Sequence, residues 1–251
     1  MASHAFRYME QLIYLLLLLP AFVSALTIHE FAHAWAAYKL GDDTAQRQGR
    51  LTLDPLAHLD PLGSLLILVI LLFGAPLIGW AKPVPFNPRN LSNPRRDSIL
   101  IAIAGPISNI IQAAFWLALL FAFRFGAERA GVRFDPDTVW EMVMNRRPDM
   151  NSMAGIVTTI LAFGVLTNIG LAAFNMIPIP PLDGHYVLEG LGPPFITDLY
   201  NMIRPWSFFV LLLLIQTPIL RAAMTPFMTA AQYCVFLAFG YPLQVIQYWY
   251  G

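Results

Sequence analysis

Two histidines and a glutamate, in the run His29-Glu30-Phe31-Ala32-His33, stand inside an otherwise apolar stretch. Leu15-Leu16-Leu17-Leu18-Leu19 precede them, and Ala34-Trp35-Ala36-Ala37-Tyr38 follow. This placement leaves the chain few folds. Ionisable groups at bilayer depth are costly, so they must face a polar interior and mark a functional site. Residues four apart share one helix face, so His29 and His33 can reach one metal ion. Glu30 between them is placed to act as base for a metal-activated water.

Composition agrees with a chain that lives in the bilayer. Of 251 residues, 57% are hydrophobic and 12% charged, against about 25% charged in a soluble domain. Mean hydropathy is +0.60. Formal net charge is zero, so nothing points to a nucleic-acid partner. The single cysteine, Cys234, excludes an internal disulfide and a cysteine-rich metal site. The first apolar run is not expected to be a cleavable signal peptide, because it carries His29 and His33.

The pattern predicts an all-α polytopic membrane protein with five to six transmembrane or re-entrant helical segments around a buried zinc site, read as one domain over 1–251. The first helix is expected from about Gln11 to Leu40, long enough to span with tilt, and Gly41-Asp42-Asp43 ends it. A short β-like segment is expected next, from the alternation Arg50-Leu51-Thr52-Leu53. Leu62 to Trp80 is apolar but broken by Gly74, Pro76 and Gly79. The proline-rich run from Lys82 to Arg89 cannot be helical. Further spans are expected at Ser98 to Phe123 and Met153 to Met176, with a short helix near Val139 to Met144 between them. Shorter apolar segments follow at Trp206 to Ile215 and Phe227 to Phe239.

A catalytic zinc usually takes three protein ligands and keeps one position for water. His29 and His33 supply two, and Asp183 is the expected third. In Pro180-Pro181-Leu182-Asp183-Gly184 the prolines stop a helix and the glycine permits a tight turn, which can aim one carboxylate back into the bundle. Irregular backbone at membrane depth needs protein or a water-filled cavity beside it, and a hydrolase needs such a cavity. His185 is a competing ligand. His58 is expected to be a loop histidine bonded to a nearby carboxylate.

HEFAH on a first helix, GPISN on a middle helix and NMIPIPPLDG after a later one together resemble the site-2 protease family of intramembrane zinc metalloproteases, in its compact form without PDZ or CBS modules. The resemblance runs from the first helix to Gly184 and beyond. It implies His29, His33 and Asp183 as zinc ligands, Glu30 as general base, and Asn175 as a contact to the substrate backbone or oxyanion. Asn109 is assigned either to the active site or to helix packing. The implied reaction is hydrolysis of a peptide bond in or near the transmembrane segment of a single-span membrane protein, with a regulatory membrane partner. A substrate helix must unwind to be cut, and the Arg50 to Leu53 segment offers an edge to pair with it.

His33 lies near the end of its helix and Asp183 just past the end of another, so the two helices should run in one direction. That parity predicts Leu62 to Trp80 to be re-entrant. Arg47, Arg50, Lys82, Arg89, Arg95 and Arg96 then share the face nearest the zinc, and the positive-inside rule turns the catalytic mouth to the cytoplasm of a bacterial or archaeal cell. Arg124, Arg129, Arg133, Arg146 and Arg147 on the other face oppose this. Competing readings are a metal-ion transporter, a membrane-anchored zincin acting on soluble substrates, and a non-catalytic scaffold. A transporter would more often show repeated halves, and none is visible. A zincin would want a glutamate on a second helix, and Glu128, Glu141 and Glu189 lack that setting.

Overall fold

The computed structural model describes residues 2–60, 82–144 and 152–241. Its elements are α1 (Ala2–Lys39), α2 (Thr44–Arg47), α3 (Pro55–His58), a 3-10 turn (Pro88–Asn90), α4 (Pro94–Arg129), α5 (Pro136–Met144), α6 (Met153–Asn175), α7 (Gly184–Leu191) and α8 (Pro194–Ile203). A second 3-10 turn (Arg204–Trp206), α9 (Ser207–Ile215) and α10 (Pro218–Ala238) complete the order. Among the described residues, four helical stretches are long and apolar enough to cross a membrane: Leu16–Lys39, Pro94–Arg129, Met153–Asn175 and Pro194–Ile215. The protein is thus a multi-pass membrane protein, as its composition requires. The expected segment at 206–215 forms the end of a longer helical run from Pro194, and that at 227–239 forms the second half of α10 and its C-cap, Phe239. The expected re-entrant segment at 62–80 lies outside the described residues.

Among the described residues no strand forms at 50–53, which corrects the β-like expectation. The local polar groups are spent on turns instead. Arg50 N donates to Ala45 O (2.8 Å), Asp54 N to Thr52 Oγ1 (3.1 Å), and His58 Nε2 to Thr52 O (2.8 Å). His58 is thereby bound to a backbone carbonyl, not to the carboxylate its sequence setting suggested. An alternating four-residue pattern cannot outvote Asp and Thr side chains that bond their own backbone.

The helix ends follow from local chemistry. Beyond α1, Gly41 turns at φ +103°, a conformation that a Cβ would strain. At the start of α4, Asn93 Oδ1 accepts from Arg96 N (3.2 Å) and Asp97 Oδ2 accepts from Asn93 N (2.9 Å). With Pro94 as first helical residue this makes a reciprocal cap. Ser152 Oγ caps α6 by accepting from Gly155 N (2.9 Å).

The chain divides into two compact units, one of residues 1–25, 109–174 and 214–251, the other of 26–108 and 175–213. The first is held by an apolar cluster that includes Leu120, Val143, Val165, Val235 and Phe236, with Trp140 stacked on Phe236 (5.7 Å). A Cβ on Gly164 would stand 2.4 Å from the Trp116 ring, so only glycine admits that indole. Inside the same unit Asn109 Nδ2 donates to Ala25 O (3.1 Å) and Asn168 Oδ1 (2.8 Å). Asn168 Nδ2 in turn donates to Gly164 O (2.9 Å). Both asparagines are fully buried. Buried amides joined in this way bind three helical segments together.

The second unit carries a polar clasp. Asp42 is fully buried and accepts from Thr44 N (3.1 Å), Thr44 Oγ1 (2.5 Å), Asn90 Nδ2 (2.7 Å) and Asn87 N (2.7 Å). It ties the end of α1 to the loop before α4. Burial alone would raise this carboxyl, and the hydrogen bonds overcome that, holding it below the usual aspartate range. A folded pKa below the unfolded one stabilises fully above the ordinary value near 3.8 and fades as pH falls through the folded pKa. Asp42→Ala leaves several buried donors unpaired. It should destabilise by about 2–4 kcal/mol, read as a lower melting temperature in detergent. The gap to wild type should narrow below about pH 4; a gap independent of acid would disprove the charge-based clasp.

Candidate metal centre

Three side chains meet in the second unit. His29 Nε2 and His33 Nε2 lie 3.0 Å apart, and Asp183 Oδ2 lies 3.2 and 3.3 Å from them. Both histidines are buried, and Asp183 is partly covered. Helical spacing brings the imidazoles together, one turn apart on α1, with rings nearly perpendicular (85°). The aspartate arrives from a distant part of the chain. Leu182 N donates to Ile179 O (2.9 Å), which tightens the turn that presents Asp183 ahead of α7. Gly184 makes this turn fit: a Cβ there would lie 2.3 Å from Met176 O.

The donor set fits zinc. His33 Nδ1 is 2.8 Å from Ile101 O. A carbonyl only accepts, so Nδ1 carries the hydrogen and a neutral His33 turns the lone pair of Nε2 toward His29 and Asp183. Asp183 Oδ2 is buried and accepts no well-aligned hydrogen bond. The His33 lone pair, His29 Nε2 and an Asp183 oxygen converge, a set that a shared cation can hold. Ligand atoms around one tetrahedral zinc stand about 3.3–3.4 Å apart, close to the measured 3.0, 3.2 and 3.3 Å.

Gly105 is the residue that sequence reasoning undervalued. In the sequence, Gly105 and Ser108 beside Asn109 suit close helix approach. In the structure a Cβ at 105 would stand 2.4 Å from His33 Nε2 and 2.6 Å from His29 Nε2. The α4 backbone therefore lies directly against the Nε2 atoms of the two imidazoles. The G-P-I-S-N motif on a helix that must approach HEFAH was the available signal.

The other expected residues fall as follows. Glu30, adjacent to His29, is 9% exposed. Asn175 is the last residue of α6 and half-buried, outside the lining of the cavity described below. Asn109 belongs to the other unit, where its amide serves the packing contacts already given. His185 stays outside the three-residue cluster. Its Nδ1 donates to Leu182 O (2.6 Å), and its ring packs on Tyr186 (3.9 Å) and edge-on to Tyr200 (5.7 Å).

A cavity of about 270 Å³ opens beside the cluster, lined by His33, Asp183, Tyr186, Pro83, Val84 and Phe86 among others. Phe86 packs against Tyr186 (5.2 Å). The run 82–87 is neither helix nor strand. A residue before proline is driven to extended conformations, which applies to Lys82, Val84 and Asn87. Lys82 N donates to His58 O (2.9 Å) and Asn87 N to Asp42 Oδ2. Pro83 and Pro85 have no N–H, which leaves Val84 and Phe86 as the donors of the wall.

The family model for peptidase family M50 matches residues 17–214. YwhC of Bacillus subtilis, by name a candidate zinc metalloprotease, is 37% identical over 88% of this chain and 91% of its own length. Rip2 of Mycobacterium tuberculosis, named likewise, is 32% identical over 79% of this chain and 65% of its own length. MJ0611 of Methanocaldococcus jannaschii, also so named, is 29% identical over 66% of this chain and 65% of its own length. No solved structure matches the chain.

Proposed function

This chain belongs to the M50 peptidase family, and from that premise we propose that it is an intramembrane zinc metalloprotease that hydrolyses a peptide bond in or near the membrane span of a single-span protein. The convergence of His29 Nε2, His33 Nε2 and Asp183 Oδ2 carries the reading. These three residues would hold the zinc. Zinc, when bound, supplies Lewis acidity that acidifies water and polarises a peptide carbonyl.

The chain's own groups do the rest. Glu30 takes the proton of the attacking water on a carboxylate oxygen and returns it to the leaving amine. The Asn175 amide is placed late in α6, where it donates to a substrate carbonyl oxygen. The unwound peptide lies along the 82–87 wall and accepts from the N–H groups of Val84 and Phe86. Prolines at 83 and 85 limit competing strand pairing there. This segment replaces 50–53 as the proposed receptor for an extended substrate.

The family match spans parts of both compact units, which supports one functional domain over 1–251. These relatives come from bacteria and an archaeon, which supports a prokaryotic cell membrane. Exposed Arg47, Lys82, Arg89 and Arg96 belong to the same unit as the metal cluster, which supports a mouth facing the cytoplasm. Arg95 adds little to that argument, because its Nε donates to Gly190 O (2.7 Å) and its Nη2 to Gly192 O. Substrate delivery by a regulatory membrane partner completes the proposal.

Metal removal tests it. Purified protein stripped with a chelator should stop cleaving a labelled single-span peptide, and one equivalent of zinc should restore cleavage. Cleavage that persists without metal would sink the reading. Zinc flux across liposomes carrying the protein, with no cleavage, would favour the transporter.

A further inference from the structure

The cavity beside the metal cluster is walled largely by apolar side chains and prolines, and most polar groups of its lining are spent on the protein itself. His33 Nδ1 donates to Ile101 O, and His185 Nδ1 to Leu182 O. Arg204 gives Nη1 to Asn201 Oδ1 (3.0 Å) and Nη2 to Glu189 Oε2 (2.7 Å). Ser207 Oγ donates to Arg204 O (2.9 Å). Tyr186 lines the same cavity, and among the described residues no group pairs with its hydroxyl. Its oxygen is not sealed inside protein, so the hydroxyl is open to whatever enters the cavity.

The ring that carries this hydroxyl is held in place. Phe86 packs against it (5.2 Å), and the His185 ring lies 3.9 Å away. His185 is anchored in turn by Leu182 O and by Tyr200, which meets it edge-on. Tyr186 N donates to Asp183 O (3.0 Å). The two residues are three apart at the start of α7, a spacing that makes them neighbours on a helix surface. The phenol thus stands close to the metal cluster and against Phe86 of the 82–87 wall. Burial holds it above its ordinary pKa range, so at neutral pH it keeps its proton and can donate.

A ring needed only to fill space against Phe86 and His185 could be phenylalanine. A tyrosine hydroxyl away from bulk water ordinarily has a partner, and a mostly apolar pocket orients its ligand through a few polar groups. We propose that Tyr186 is a substrate-binding residue whose hydroxyl donates a hydrogen bond to a backbone carbonyl of the peptide bound along the 82–87 wall. The proposal rests on the peptidase reading and adds a binding residue to it. The peptide is then held by donors from two elements, the wall and α7, which fixes its register beside His33 and Asp183.

Binding of a fluorescent synthetic peptide tests this without turnover. The peptide is a Leu/Ala-rich single span with a central Asn-Gly pair. Its Kd is measured on zinc-loaded Glu30→Gln protein in detergent, alone and with Tyr186→Phe added. Tyr186→Phe keeps the ring and removes only the hydroxyl. It should weaken binding by about 5-fold at equal zinc content, the usual size for one neutral hydrogen bond. An unchanged Kd overturns the proposal. In the otherwise wild-type protein, Tyr186→Phe should raise KM by a similar factor and leave kcat nearly unchanged; a fall in kcat at constant KM overturns the proposal as well. Amide-to-ester replacements scanned along the peptide locate the contact. One position should weaken binding to protein with Tyr186 and not to protein with Tyr186→Phe, and an equal response in both at every position counts against the contact. Should Tyr186→Phe not fold, p-aminophenylalanine and p-fluorophenylalanine at position 186 replace it. The amine keeps a donor and the fluorine does not, so the first should bind the peptide more tightly, and equal Kd values overturn the proposal. Absence of cleavage by wild type would count against the peptidase reading alone, since the binding comparison stands apart from it.

Discussion

Gly105→Ala is expected to cost the protein its zinc. The added Cβ would fall 2.4 Å from His33 Nε2 and 2.6 Å from His29 Nε2, distances that no carbon–nitrogen contact sustains. Long side chains often yield to such an intrusion, but these two cannot yield freely. His33 is tied through Nδ1 to Ile101 O, and both rings must keep their Nε2 atoms on one point. The strain therefore goes into the ligand geometry or into the approach of α4, and overpacking of this kind costs about 1–3 kcal/mol. Zinc measured on purified protein should fall from about one equivalent to a small fraction, and cleavage should fall with it by about 10–100-fold, a loss of the size seen when metal-site supports are disturbed. Gly126→Ala in the same helix is the control. A Cβ there meets nothing within 4 Å, so it should keep zinc and gain a little stability, up to about 1 kcal/mol. Full zinc in Gly105→Ala would mean that α4 does not lie against the imidazoles.

Glu30→Gln should have the opposite profile, with zinc kept and chemistry lost. Glu30 is not among the three residues whose ligand atoms converge, and glutamine matches its shape. The amide cannot accept a proton from water, so cleavage should fall by about 10²–10⁴-fold, the usual share of a general base. Stability should barely change. Neutralising a buried carboxylate removes a desolvation penalty, while Arg50 loses the one charge that opposes its own shift, and the two effects offset. A melting temperature within about 5 °C of wild type, one equivalent of zinc and near-zero turnover form the expected set. Normal turnover would remove Glu30 from the mechanism, and loss of zinc would make it a ligand.

The helical spacing of His29 and His33 is local, so the pattern of residues alone announced both the element and the pair of imidazoles that meet on one face. The breakers around Asp183 were equally legible, since proline and glycine act on their own backbone. The apolar runs announced a multi-pass helical protein for the same reason: in lipid each span must satisfy its backbone internally, and the helix does so without help from the rest of the fold.

Tertiary structure decided what depends on approach. Asn109 reads equally well as an active-site or a packing residue, and only the fold brings its amide to Ala25 O and Asn168 Oδ1. Arg50 read as one of several basic residues near a membrane face, and folding instead buried it with two nitrogens unpaired. Gly105 read as a general aid to close packing, and became the point where α4 approaches His29 Nε2 and His33 Nε2. Each outcome turns on which atoms come within a few ångströms across dozens of residues of chain. That is set by the summed packing of many side chains, and no local pattern encodes it.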